Sequence, residues 1–320
     1  MIDRWRHLEV ADQWGRRAVV TGANTGLGYV STLALVNAGA EVVMAVRDLD
    51  RGQAAAQRIR EQVPDAKLRV IHMDLAELAS VRDFASGLVE EPEPVDVLML
   101  NAGVMLVPRR ELTPAGFERQ MGVNHLGHFA LTVGLLPALG RSAGGARVVS
   151  VTSLTYARVG PLDRGLGLTG EYSPMRAYGQ SKLAVALSSQ ELHRRASMIG
   201  RAPGAAPGRG LVSVLAHPGW SATAESQPDD GAGRSVLLAR RATAILGSSP
   251  AQGARAQLYA ATAPELTGGE FIGPSRLGRG APAAATLSKV ATDADAARWL
   301  WDESVRLTGA DPNLPASQLT

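Results

Sequence analysis

The chain has 320 residues, 45% apolar and 20% charged, with a formal net charge of +3, the composition of a soluble globular protein. It contains no cysteine, which excludes disulfides, thiolate nucleophiles and cysteine-ligated metals and fits a cytoplasmic location. The pI near 9.5 comes from arginines scattered among acids without a basic run, which argues against a nucleic-acid partner, and no apolar run is long enough to span a membrane.

Residues 1–14 mix Arg4 and Arg6 with Asp3, Glu9 and Asp12. They read as an N-terminal extension, with the pattern of a short amphipathic helix and neither a signal peptide nor an anchor. Arg17 to Thr21 is a β-branched run that reads as a buried strand. Thr21-Gly22-Ala23-Asn24-Thr25-Gly26-Leu27-Gly28 follows, and then an Ala/Leu/Val helix to Ala38. Strand, glycine-rich turn and helix together make the phosphate-binding start of a dinucleotide fold. There the helix N-terminus offers free N–H groups and a positive dipole end. An ordinary tight turn is the competing reading.

Glu41 to Val46 is the second strand, with Arg47 at its carboxyl end. An NAD site places an acid near this point, whereas an NADP site needs a cation for the 2′-phosphate. Arg47 favours NADP; Asp48, one residue on, favours NAD. Helical composition over 50–63, a strand at Leu68 to His72, Asp74-Leu75, and a helix at Glu77 to Glu90 come next. Val95 to Leu100 is an apolar strand of the kind found at the centre of a parallel sheet. It ends in Asn101-Ala102-Gly103, a second small-residue turn.

Thr113 to Leu139 reads as one long helix containing Asn124, His125 and His128. The two histidines have metal-ligand spacing but no carboxylate nearby, so no metal site is expected. Arg147 to Thr152 is a strand with Ser153 at its end, and a glycine-rich loop over 159–170 leads to a helix running to about Gly200. Residues 200–210 form a Pro/Gly connector, Leu211 to Ala216 a strand ending in His217-Pro218-Gly219-Trp220, and 227–233 a polar loop. Ala251 to Ala263 is helical and Glu270 to Ile272 a final short strand. An Ala/Pro stretch after Gly280 carries no strand signal, and Ala291 to Leu307 is a last helix. The alternation predicts a single α/β domain: one doubly wound parallel sheet of about seven strands with helices on both faces, a core over 15–275 and an extension over 276–320.

The chemistry concentrates on Tyr178 and Lys182. They are four apart in a helix and so share a face. An ammonium beside a phenol favours the phenolate, and such a pair can exchange a proton with a carbonyl or an alcohol. Of the five tyrosines, Tyr178 alone has a lysine four residues on, and the chain has only Lys67, Lys182 and Lys289 among its many cations.

Taken together, Thr21-Gly22-x-x-x-Gly26-x-Gly28, Asp74, Asn101-Ala102-Gly103, Asn124, Ser153, Tyr178-x-x-x-Lys182 and Pro218-Gly219-x-x-x-Thr223 resemble the classical short-chain dehydrogenase/reductase family over about 17–223. Ala45-Val46-Arg47-Asp48 and Asn124-His125-Leu126-Gly127-His128-Phe129 look most like its branch of retinol dehydrogenases and WW-domain oxidoreductases. A WW module and a membrane anchor are not seen, which argues against a retinoid substrate. The resemblance implies Tyr178 as general acid/base, with Lys182 lowering its pKa and holding the nicotinamide ribose. Ser153 would bind the substrate oxygen and Asn124 would support a proton relay. Gly22, Asn24, Thr25, Gly26, Leu27 and Gly28 would form the pyrophosphate turn, with Arg47 at the 2′-phosphate. Asp74 would meet the adenine, Asn101 the adenosine ribose region and Thr223 the carboxamide, with Leu75, Ala102, Gly103, Pro218 and Gly219 also at the cofactor. Ser153 lies 25 positions before Tyr178, which implies an elaborated loop between them.

The expected activity is NADPH-dependent interconversion of a carbonyl compound and an alcohol, with Leu106, Val107, Leu154 and Trp220 as candidate pocket residues for a moderately apolar substrate. A non-catalytic NADP-binding sensor or scaffold is the alternative. A nucleotide-sugar epimerase or dehydratase is a third reading, disfavoured by the short region after Thr223. A homo-oligomer is left open.

Overall fold

The computed structural model describes residues 10–199, 210–219, 249–276 and 279–312. Residues 1–9 of the expected N-terminal helix, the connector over 200–209, the polar loop over 227–233, Trp220 and Thr223 lie outside the described residues, and residues 10–14 form no helix. Those described form a doubly wound α/β domain.

The strands are β1 (Arg17–Thr21), β2 (Glu41–Val46), β3 (Leu68–His72), β4 (Val97–Leu100), β5 (Arg147–Val151), β6 (Val212–Ala216), β7 (Phe271–Arg276) and β8 (Arg279–Ala284). They make one sheet in the order β3-β2-β1-β4-β5-β6-β7-β8. All pairings are parallel except β7 with β8. Strand order reverses between β1 and β4, and in open sheets of this kind the crevice outside the carboxyl ends at such a switch point takes the ligand.

Alternation along each strand sends side chains to opposite faces. Val20, Met44 and Met99 pack on one side with Leu35 of α1 (Gly26–Asn37), Ile59 of α2 (Leu49–Arg60) and Leu258 of α8 (Pro250–Thr262). Val19, Val43 and Leu98 pack on the other with Phe84 of α3 (Leu78–Glu90), Phe129 of α5 (Gly127–Gly134) and Trp301 of α9 (Ala294–Thr308). Residues apolar on both faces give the continuous hydrophobic strands read in the sequence.

Two expectations are corrected. The sheet has eight strands among the described residues, not about seven, and it continues past the expected core boundary at 275. The Ala/Pro stretch after Gly280 forms part of β8, with Pro282 opposite Pro274. Proline lacks the ladder N–H, so it is tolerated at a sheet edge, and such a strand has no β-branched signature to find.

The expected long helix over 113–139 is broken. Thr113 and Phe117 close a tight turn through Gly116, whose φ is +83°, and Leu112 pairs with Glu118 in an antiparallel bridge. Helix begins only at α4 (Arg119–Met121), where the Glu118 carboxylate accepts from the Met121 N–H at 2.8 Å. A π-helical turn, Gly122–Leu126, then leads into α5, and a short α6 (Leu136–Gly140) follows. Such one-turn π segments are frequent at functional sites. This one carries Asn124.

Candidate active site

The expected site residues within the described segments line up at the carboxyl ends of six parallel strands. Gly22 to Gly28 follow β1, Arg47 follows β2, and Asp74 and Leu75 follow β3. Asn101 to Gly103 follow β4, Ser153 follows β5, and Pro218 and Gly219 follow β6. Tyr178 and Lys182 come from α7 (Pro174–Ile199).

The β1 turn is built so that backbone meets backbone. Gly22 has φ +65°, a conformation that favours glycine. A Cβ at Gly28 would collide with the Gly22 carbonyl and with Asn101 Nδ2. Thr25 ends the turn as the N-cap of α1 without a side-chain cap bond, so the first N–H groups of α1 are available to an anion. Asn24 and Thr25 are half-buried and Leu27 is buried.

Behind the turn, Thr21 Oγ1 accepts the backbone N–H of both Asn101 and Ala102 at 2.9 Å. The Asn101 amide donates to Thr21 O at 2.9 Å and accepts from Gln257 Nε2 of α8 at 3.1 Å. Asn101 therefore acts on the cradle from behind. Gln257, buried at 1% exposure and also bonded to Ser31 at 2.8 Å, was not singled out in the sequence. A glutamine inside an ordinary helix carries no local signal.

Asp48, the competing acid beside Arg47, caps α2 by accepting from the Arg51 N–H at 3.0 Å. Arg47 is exposed at the end of β2. Asp74 accepts from the Ala76 N–H at 2.9 Å, and its own N–H donates to Ser80 Oγ at 3.0 Å. The Leu75 carbonyl lies so close to Gly127 that a side chain there would collide with it. Gly219, with φ +72°, donates its N–H to His217 Nδ1 at 3.1 Å, so His217 orients the turn after β6. Burial pushes the His217 imidazolium down to about 4.

Asn124 is fully buried. Its side chain accepts the Val104 N–H at 2.8 Å and donates to Val104 O and Ser181 Oγ, each at 2.9 Å. Lys182, 6% exposed, donates from Nζ to Val151 O at 3.0 Å. A Cβ at Gly103 would stand 3.0 Å from Asn124 Oδ1 and 3.4 Å from Lys182 Nζ. The Asn101-Ala102-Gly103 turn is thus glycine where it passes close to both side chains.

The Tyr178 hydroxyl interacts with the Ser153 side chain, whose Oγ also accepts from Thr155 Oγ1 at 3.1 Å. Ser153 therefore faces the tyrosine despite the long intervening loop. Burial pushes the Tyr178 hydroxyl up to about 12, and Ser153 is the group that pulls it back. Burial also pushes the Lys182 ammonium down to about 8. Desolvation disfavours the charged form of each group.

Among the expected pocket residues, Leu154 is 39% exposed at the rim, whereas Leu106 and Val107 are buried at 5% and 2%. Leu106 has φ +55° and is held there by Gln120 Oε1, which accepts its N–H at 2.8 Å. Tyr172 pins the next residue by donating to Val107 O at 2.9 Å. Met105, Leu168 and Met175 join Leu154 as exposed apolar side chains on the loops after β4 and β5 and at the start of α7. The two histidines of the Asn124 segment are core residues with assigned partners. His125 bonds Ser304 of α9 at 2.8 Å, and His128 bonds Thr21 and Asn124. A small internal cavity is lined by Asn124, both histidines, Ser188 and Trp301. Tyr178, Ser153 and Lys182 do not line it, so it is not the substrate cleft.

Residues 16–200 match the family model described as short chain dehydrogenase. The chain is 41% identical over 306 residues to polyprenol dehydrogenase of Mus musculus, covering 93% of this chain and 85% of the relative. It is 38% identical over 305 residues to retinol dehydrogenase 13 of Homo sapiens, covering 93% and 86%. A crystal structure of an uncharacterized protein from Mycobacterium paratuberculosis is similar with TM-score 0.75 at 37% identity, covering 96% of this chain and 98% of that one. No described helix is long and apolar enough to cross a membrane.

Proposed function

This chain belongs to the short-chain dehydrogenase family of oxidoreductases, in its retinol-dehydrogenase-like branch, and from that premise we propose that it interconverts an apolar carbonyl compound and its alcohol with NADP, using Tyr178 as proton donor and acceptor. The observation that carries the reading is the approach of Tyr178 to Ser153, with Lys182 and Asn124 both beside Gly103, next to a turn whose Gly28 has no room for a side chain.

The residues suit a nicotinamide dinucleotide. The turn from Gly22 to Gly28 and the uncapped start of α1 take the pyrophosphate. The preference for NADP rests on Arg47, exposed at the end of β2, and on Asp48 being committed to the cap of α2. When bound, the nicotinamide supplies or accepts the hydride. The protein handles the proton. Tyr178 gives it to the substrate oxygen in reduction and takes it in oxidation, while Ser153 holds that oxygen and favours the ionised phenol. Lys182, anchored on Val151 O, lends its remaining N–H donors to the ribose, and Asn124 keeps the Val104 backbone and Ser181 in register beside it. Thr223, the expected carboxamide contact, lies outside the described residues.

Met105, Leu154, Leu168 and Met175, exposed on the loops after β4 and β5 and at the start of α7, support an apolar substrate. The relatives are named for polyprenol and retinol, which puts a retinoid back among the substrates to assay. The test is consumption of NADPH, followed by its absorbance, with a panel of aliphatic, aromatic and isoprenoid aldehydes and ketones. Turnover abolished by Tyr178→Phe supports the proposal. Tight NADPH binding with no turnover of any of them would favour the sensor reading.

A further inference from the structure

A run of buried and part-buried hydrogen bonds joins the cofactor cradle to the catalytic helix. Gln257 donates to Asn101, whose amide donates to Thr21 O, and Thr21 Oγ1 accepts the N–H groups of Asn101 and Ala102. Thr21 Oγ1 lies 2.9 Å from His128 Nε2, and His128 Nδ1 lies 3.0 Å from the carbonyl oxygen of Asn124. Asn124 donates to Ser181 Oγ, which donates to Tyr178 O at 2.8 Å. Thr21 and Asn124 are fully buried and His128 is 4% exposed.

The donors and acceptors fix how His128 is protonated. A carbonyl can only accept, so Nδ1 carries a proton. A hydroxyl has two lone pairs, and those of Thr21 are taken by the two backbone N–H groups. Its own proton is therefore free to go to Nε2, since the other acceptor in reach, Met99 O, is farther away at 3.4 Å. A proton on Nε2 would ask Thr21 to accept a third time. The ring is neutral, with its proton on Nδ1.

We propose that His128 is a positioning residue that locks the Thr21 end of the cofactor cradle to the π-helical turn carrying Asn124, so that cofactor binding and proton handling are preorganised as one unit. No other side chain bonds both segments among the described residues. A neutral imidazole suits the place because it accepts on one side and donates on the other across a rigid ring. Preorganised geometry of this kind affects both binding and turnover. The inference rests on the oxidoreductase reading of the site, but its first two readouts do not.

The experiment compares wild type, His128→Leu, His128→Gln and Ser304→Ala. The last removes the partner of the other buried histidine, His125, and controls for general loss of packing. The readouts are the side-chain 15N spectrum of His128, the Kd for NADPH alone, kcat and KM per folded protein with one reducible carbonyl compound, and the thermal midpoint. We expect the wild-type spectrum to place the proton on Nδ1. His128→Leu should weaken NADPH binding and lower kcat each by about tenfold, the scale of one or two buried hydrogen bonds. His128→Gln keeps a donor and an acceptor on one planar group and should recover most of both losses. Ser304→Ala should lower the midpoint and leave NADPH affinity unchanged. A proton on Nε2 in wild type overturns the proposal. So does a His128→Gln variant no better than one that cannot bond at all, or equal losses in Ser304→Ala. Absence of turnover in wild type with NADPH still bound would instead count against the proposed reaction, and the tautomer and Kd would still decide the role of His128.

Discussion

Lys182 stands one helical turn after Tyr178 with its Nζ 5.9 Å from the centre of the phenol ring. The spacing in α7 brings the two together, yet the hydrogen-bond partner of the ammonium is Val151 O of β5. The phenol is tuned mainly by burial and by Ser153.

That balance predicts the behaviour of Ser153→Ala. Removing the hydroxyl that favours the phenolate should raise Tyr178 further above its ordinary range. Alcohol oxidation needs the ionised phenol, so its rate climbs with pH in wild type, and in the variant the climb should move to higher pH. A pH profile of kcat/KM for oxidation checks this, and an unmoved profile would remove Ser153 from the acid/base machinery.

Tyr178→Phe deletes one hydroxyl and little volume. Turnover should fall by about 10²- to 10⁴-fold, the usual contribution of a positioned acid or base. NADPH affinity and the thermal midpoint should stay close to wild type. Near-normal turnover would end the assignment.

Arg47 and Asp48 should separate cleanly. Arg47→Asp should weaken NADPH binding far more than NADH binding, because a repelling charge replaces the cation for the 2′-phosphate. Asp48→Ala should cost about 1 kcal/mol of stability through loss of the α2 cap and leave the ratio of the two affinities unchanged. Isothermal titration with both cofactors and a urea midpoint give the comparison. A reversed preference in Asp48→Ala would show that the aspartate, not the arginine, reads the ribose.

Lys182→Met carries a signed prediction for stability. The folded ammonium titrates at about 8 against an ordinary 10.5, so between those values the unfolded chain binds more protons and stability rises with pH. Below pH 8 the full cost of burying the charge is present. Lys182→Met should therefore compare most favourably with wild type below pH 8 and lose that advantage progressively up to pH 10.5. Tyr178 works the other way, with its contribution lost as pH rises from 10 toward 12, but it is common to both proteins. Urea midpoints across this range check the sign. Turnover of the variant should fall in the same experiments, because the ribose loses its donor and Val151 O its partner.

The sequence alone carried the alternation of strands and helices, because the central parallel strands β1, β2, β4, β5 and β6 are largely apolar and buried, and small-residue turns follow β1 and β4. The glycines that let backbones touch at Gly22 and Gly28, and a Tyr/Lys pair one turn apart, are local requirements that a sequence can display. Tertiary structure decided what depends on neighbours distant in the chain. β8 exists because Pro282 and its flanking alanines find the edge of β7, not because of their own propensity. The helix expected over 113–139 breaks because the turn at Gly116 and the bridge from Leu112 to Glu118 satisfy backbone groups outside it. The Asp48 carboxylate caps α2, a bond that its place beside Arg47 does not reveal. Gln257 lies 156 residues from the asparagine it holds, and His128 lies 107 residues from Thr21. Hydrogen bonds across such separations leave no periodicity in the chain. Burial, which no spacing of residues encodes, pushes the Tyr178 hydroxyl up and the Lys182 ammonium down.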